Sequence, residues 1–216
     1  MPRILVINPN SSERVTAAID EAVAPLRLPD GPVIECMTLA EGPAGIATQR
    51  DADGEIAPLV RTVIASDADA FVLACFSDPG LHAVREAAAG RPVMGIAEWG
   101  LLRALTLGER FGIVALSASS MRRQARLVRQ MGLSQRYAGS WPVDLSAADT
   151  TGEATGALLA AAGAALCRER GADVIVLGCA GMARHRDGVT AASGCPVVEP
   201  TREATAAALG AVLLGA

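Results

Sequence analysis

The chain says the same thing twice. A run of apolar, β-rich residues, "ILVINPN" from Ile4, is followed by an amphipathic segment, then by "VIECMTL", "AFVLACF" and "PVMGI". From residue 111 the order is replayed as "FGIVALSASS", "SWPVDLS", "DVIVLGCAGM" and "CPVVEP". Ile4 pairs with Gly112 and Ile34 with Pro142 at a spacing of 108 residues, and Cys75 with Cys179 and Pro92 with Pro196 at a spacing of 104. Solenoid repeats run about 20–50 residues, so a spacing this long indicates duplicated domains. Short strands alternating with Ala-rich helical segments indicate parallel βα units, hence an α/β fold of two similar halves.

The predicted elements follow the repeat. The first strand covers Ile4–Asn10 and the first helix Ser12–Leu26, with Asn10 and Glu13 at capping-box spacing. A loop "AEGPAGI" precedes a helix over Asp53–Ser66, and a further helix runs through "PGLHAVREAA" with Pro79 in its first turn and Ser77 or Asp78 as its cap. The first domain spans 1–98 and the second 99–199, with a last helix (Arg202–Leu214) crossing back so that 200–216 covers the first domain.

Composition removes several functions. The chain has no lysine, which excludes a pyridoxal-phosphate Schiff base and a P-loop. No GxGxxG follows a strand, so dinucleotide binding has no support. A net charge of −4 argues against nucleic acid, and the cluster Arg122, Arg123, Arg126 and Arg129 reads as a solvated face or a subunit contact. No apolar run reaches the roughly 18–20 residues of a membrane span, and no secretory leader is evident, so a cytoplasmic protein is expected. The five cysteines (36, 75, 167, 179 and 195) form neither a zinc pattern nor an even disulfide set. Cys36, Cys167 and Cys195 read as structural. His82 reads as a helix or surface residue and His185, between two arginines, as exposed. Trp99 and Trp141 read as packing or interface residues.

Cys75 and Cys179 are different. Each ends a central strand, and open parallel sheets bind ligands beyond the carboxyl ends of their strands. If the halves face one another about a pseudo-two-fold axis, the two thiols meet across one cleft. Helix amino termini lower thiol pKa values, so both thiols are expected near their titration point. One thiolate then removes a proton from an acidic carbon while the opposed thiol delivers one, inverting the stereocentre with no cofactor. The segment Ala180, Gly181, Met182 follows the second thiol, with a glycine that permits close backbone approach.

The segments "ILVINPNSS", "EGPAGI", "LACFSDPGL", "GIAEW" and "LGCAGMA" resemble the aspartate/glutamate/hydantoin racemase superfamily, and most closely its hydantoin and allantoin racemase branch. The resemblance implies two flavodoxin-like domains with the site between them, cofactor-independent racemisation by Cys75 and Cys179, and a homo-oligomer. It also places the loop carrying Asn10 at the cleft, where Asn8, Ser11 and Ser12 serve equally as caps. Pro43 and Ile46 belong to a loop that closes over the substrate, or to an ordinary Gly-Pro turn. Ser117, Ser119 and Ser120 supply hydrogen bonds to a carbonyl, or cap the next helix. Phe76 and Met182 pack a substituent or the core. Glutamate racemases carry Cys-Thr-His at the second site, where this chain reads "GCAGM". A neutral 5-substituted hydantoin or allantoin therefore suits it better than an α-amino acid. An aspartate/glutamate-type racemase, a maleate cis-trans isomerase, a thiol redox protein and a non-catalytic small-molecule binding protein are the alternatives.

Overall fold

The computed structural model describes residues 1–152 and 154–215. Two four-stranded parallel sheets form, each with the order second-first-third-fourth. The first holds β1 (Arg3–Asn8), β2 (Val33–Thr38), β3 (Ala70–Leu73) and β4 (Val93–Gly95). The helices between and after them are α1 (Glu13–Val23), α2 (Gln49–Gly54), α3 (Ile56–Ala65), α4 (Leu81–Ala87) and α5 (Ile96–Ala104). The second sheet holds β5 (Phe111–Ala115), β6 (Tyr137–Pro142), β7 (Val174–Leu177) and β8 (Val197–Val198). Its helices are α6 (Ala118–Gln130), α7 (Thr155–Arg170), α8 (Arg186–Ser193) and α9 (Pro200–Leu214). Each central strand is buried on both faces, which is why these strands read as unbroken apolar runs.

Alternation along the strands builds three cores. Ile4 and Val6 of β1, Val72 of β3, Ile113 of β5 and Val176 of β7 share one hydrophobic cluster that runs between the sheets. Leu5, Ile7, Phe71 and Leu73 face a second cluster under α3 and α4. Val114, Ile175 and Leu177 face a third with Leu159, Leu166 and Val189 of α7 and α8. Neighbouring residues on a strand point to opposite faces, so one short run serves two clusters. Full burial of such a side chain contributes about 1.5–3 kcal/mol. The terminal helices are crossed: α5 leaves the first sheet and packs on β7 and β8, and α9 leaves the second and packs on β3 and β4.

The register corrects part of the sequence reading. Third and fourth strands keep the spacing of 104, since Phe71 pairs with Val93 and Ile175 with Val197. The first strands are offset by 107, because Ile7 and Val114 hold the same place against Leu73 and Leu177. The second strands are offset by 104 at their ends, where Met37 pairs with Ile7 and Trp141 with Val114. The second-strand spacing of 108 fails because β6 begins at Tyr137, before "SWPVDLS", and carries one extra residue, Ala138, where its pairing with Phe111 and Gly112 shifts register.

Three helix boundaries also move. Ser12, not Asn10, caps α1 by accepting the Val15 N–H, and the helix ends at Val23 before a three-residue turn to Leu26. The segment expected as one helix from Asp53 is two, because a Thr48–Asp51 capping box starts α2 early and the chain breaks at Glu55. Pro79 lies before α4, since Asp78 (φ 42°) and Gly80 (φ 64°) are both left-handed and the helix begins at Leu81.

Candidate active site

Cys75 and Cys179 each lie two residues beyond the end of a third strand, β3 and β7. Those strands flank the points where strand order reverses, the position at which open α/β sheets bind ligands. Both thiols line one narrow cavity of about 40 Å³ between the halves, with Asn10, Ile46, Phe76, Ser77, Ser120 and Ala180 also in its wall. An adjoining chamber of about 240 Å³ shares Ile46, Leu116, Ser120 and Ala147 with it. That chamber is lined further by Ala44, Gly45, Ala47, Leu145 and Ala148, with Ser117 and Ser146 as added polar side chains.

The two thiols have matching surroundings. Cys75 Sγ lies 3.2 Å from Ser77 Oγ, and the Ser77 backbone N–H and the Arg123 guanidinium also favour its thiolate. Burial outweighs them and pushes the Cys75 thiol up, with Asp78 adding to the effect. At Cys179 burial again dominates and pushes the thiol up to about 11, against the Gly181 N–H and the Thr150 hydroxyl, while Cys75 and Glu199 disfavour its charge. The expectation of thiols near their titration point is therefore corrected. Enclosure costs the thiolate more than the nearby N–H groups return, and at the first site no helix begins until Leu81.

The other sequence candidates divide by place. Asn10 is buried, and its Oδ1 accepts the Ser12 N–H (2.9 Å) and the Asn8 amide (3.1 Å), which fixes the loop after β1 against the cavity. Pro43 stands outside the cavity wall, and its carbonyl accepts the Ser11 N–H. Ser117 caps α6 and lines the chamber, whereas Ser119 Oγ donates to the Ala47 carbonyl at 2.9 Å. Gly181 lies behind the wall, and Met182 is fully buried in the cluster beneath α7 and α8, so neither contacts the cavity. Cys36, Cys167 and Cys195 are free thiols, on β2, on α7 and before β8.

Two readings of charged residues are corrected. Arg123 is not on a solvated face: it lines the cavity and donates to the Ala47 carbonyl at 2.6 Å and to Ser119 Oγ at 3.0 Å. The signal was present in the sequence, because Ser120, Arg123 and Gln124 stand at i, i+3 and i+4 on one helical face. Arg126 reaches Gln49 Oε1, so α6 holds the 44–49 loop at three points. His185 is half-buried and not exposed, and its Nε2 lies 3.0 Å from the Thr150 carbonyl. A carbonyl only accepts, so Nε2 carries the proton. Among the described residues no three His, Cys, Asp or Glu side chains are grouped to hold a metal, and no helix is long and apolar enough to cross a membrane.

Two pseudo-equivalent parallel-sheet halves with a thiol-lined cleft between them place the chain among the α/β proteins whose site lies between duplicated domains. A family model described as Asp/Glu/Hydantoin racemase matches residues 4–208, and the chain belongs to that family. It is an isomerase of the racemase type. It is 34% identical to a hydantoin racemase of Paenarthrobacter aurescens over 99% of this chain and 92% of that one. A hydantoin racemase of Rhizobium meliloti is 32% identical over 99% of this chain and 89% of its own length. Among solved structures, the allantoin racemase from Klebsiella pneumoniae superposes with a TM-score of 0.88 at 29% identity, over 100% of this chain and 89% of that one. Arylmalonate decarboxylase, at 21% identity and a TM-score of 0.69, over 100% of this chain and 94% of that one, shares the fold.

Proposed function

We propose that the protein interconverts the enantiomers of 5-substituted hydantoins by a 1,1-proton transfer between Cys75 and Cys179. The observation that carries this reading is that the two thiols, at equivalent places in the two halves, line one cavity. Such a transfer needs one base and one acid at a time. Burial disfavours each thiolate, and a charge on Cys75 further disfavours one on Cys179, so the pair carries at most one thiolate at a time. That thiolate takes the C5 proton, which the adjacent C4 carbonyl acidifies. The carbanion's charge moves onto the carbonyl oxygen, with Arg123, Ser77 and Ser120 on the cavity wall as available donors. The opposed thiol then gives its proton to the other face of C5 and becomes the next thiolate. Every atom and charge is conserved without a cofactor.

The chamber favours a hydantoin with an apolar substituent over allantoin. Its wall is mainly Ala, Ile and Leu, and the ureido group of allantoin would lose water there for few partners. The test is to incubate single enantiomers of benzyl-, isopropyl- and methylthioethyl-hydantoin, allantoin, aspartate and glutamate in deuterated water. Optical rotation and deuterium at the stereocentre are followed together, corrected for spontaneous exchange. Racemisation with deuterium uptake, fastest on the apolar hydantoins, is expected. Activity confined to allantoin or to the amino acids would overturn the substrate assignment.

A further inference from the structure

The two halves place the same chemical groups around their thiols, but supply them from exchanged positions. With third and fourth strands in register at 104 residues, Ser77 is equivalent to Gly181 and Gly95 to Glu199. Ser77 presents its own hydroxyl to Cys75. Gly181 has no side chain, and a Cβ there would fall 2.1 Å from Thr150 Oγ1. The Thr150 hydroxyl thus fills the space in which a counterpart of Ser77 would stand.

The carboxylates show the reverse exchange. Glu199 accepts the Thr201 N–H at 3.0 Å and the Arg202 N–H at 2.7 Å, capping α9. The equivalent donors of α5, Ala97 N–H and Glu98 N–H, go to Asp78 at 3.0 and 2.8 Å. A Cβ at Gly95 would lie 2.4 Å from Asp78 Cγ, so Asp78 occupies the place of a local Glu. In both cases a glycine in one half opens a space that a remote residue refills with the group the other half carries. Simple space filling would not select the same functional group each time.

We propose that Thr150 is a positioning residue for the Cys179 thiolate, doing for it what Ser77 does for Cys75. This rests on the two-thiol reading. While Cys179 is protonated, Thr150 Oγ1 donates to the Ala147 carbonyl at 2.6 Å. When the thiol loses its proton, the hydroxyl turns its hydrogen to the sulfur and joins the Gly181 N–H there. The residue is held for that role. It is fully buried, its carbonyl accepts from His185, and the next residue is tied by Arg184 Nη1 to its carbonyl (3.0 Å) and by Arg14 Nη2 to its hydroxyl (3.1 Å). Arg14 comes from the first half, so both halves fix the turn.

The experiment compares Thr150→Val, Thr150→Ser and the double variant Thr150→Ala/Gly181→Ser with wild type and Cys179→Ser, all as full chains. Racemisation is measured beside the pH dependence of iodoacetamide alkylation at each cysteine, resolved by peptide mass spectrometry. Losing a hydrogen bond to a charged group, Thr150→Val is expected to slow racemisation about 10- to 100-fold. The alkylation midpoint of Cys179 should move about one pH unit or more alkaline while that of Cys75 stays in place. Thr150→Ser should restore most of both, and so should the double variant, which rebuilds the first half's arrangement and carries the test if Thr150→Val fails to fold. If Cys179→Ser is inactive while Thr150→Val races at the wild-type rate with an unmoved midpoint, this assignment is wrong and the two-thiol reading stands. If Cys179→Ser racemises normally, the two-thiol reading itself fails, and this assignment with it.

Discussion

Asp78 offers the sharpest physical test of the site's construction. Asp78 is 8% exposed, and burial raises its pKa from 3.8 to about 7, with the Glu98 charge adding to the rise, against the two N–H groups of Ala97 and Glu98 and the Arg85 guanidinium. For an acid with a raised folded value, the folded protein keeps a proton that the unfolded chain has released. The stability this contributes is present below about pH 4 and is lost as pH rises through about 7. At ~1.4 kcal/mol per pH unit the loss approaches roughly 4 kcal/mol. Asn has the shape of the acid and does not titrate, but its amide NH2 cannot accept an N–H, so one of the two bonds from Ala97 and Glu98 is lost. Asp78→Asn is therefore expected to lie below wild type near pH 4 by about 1–3 kcal/mol, and the difference between the two should shift in the variant's favour by roughly 4 kcal/mol by pH 8. Urea denaturation of both proteins at half-unit intervals from pH 4 to 8 measures this, and the contributions of Glu199 and Glu55 cancel in the difference. Parallel stability curves would refute the reasoning, because they would mean that Asp78 ionises as easily when folded as when unfolded.

Two further outcomes follow from the cavity walls. Ala148→Leu narrows the chamber, so the kcat/KM ratio of benzyl- to methyl-hydantoin should fall about tenfold or more; an unchanged ratio would remove the chamber from substrate recognition. Arg123→Met takes one hydrogen bond from the Ala47 carbonyl of the 44–49 loop, another from Ser119 on its own helix, and a cation from Cys75. Amide exchange across that loop should rise about tenfold and Cys75 alkylation at pH 8 should slow; unaltered exchange would mean that Ser119 and Arg126 hold the loop without it.

The duplication was legible because buried parallel strands must be apolar on both faces, and that leaves unbroken runs such as Ala70–Leu73 and Val174–Leu177. The cysteines were legible because each follows such a run at the same spacing. What the sequence hid was whatever tertiary packing decides. Asp78 lies beside Pro79 and reads as a local cap, yet its carboxylate serves a helix that starts at Ile96. Thr150 belongs to a Ser/Thr/Ala-rich turn with no local signal, and only the glycine at 181 makes room for it. Arg123 was visible by its helical spacing, but a row of four arginines concealed that one of them turns inward. Thiol acidity is not legible in the sequence, because a short motif records nearby N–H groups and not the depth at which the thiol is enclosed.

The most direct measurement of the central claim uses Cys75→Ser and Cys179→Ser singly, each with both enantiomers of the preferred hydantoin in deuterated water. Both variants are expected to lose racemisation, and any residual deuterium exchange should favour opposite hands in the two variants, since each keeps the thiol that addresses one face of the carbon. A variant that racemises at the wild-type rate with either cysteine replaced would contradict the two-thiol account.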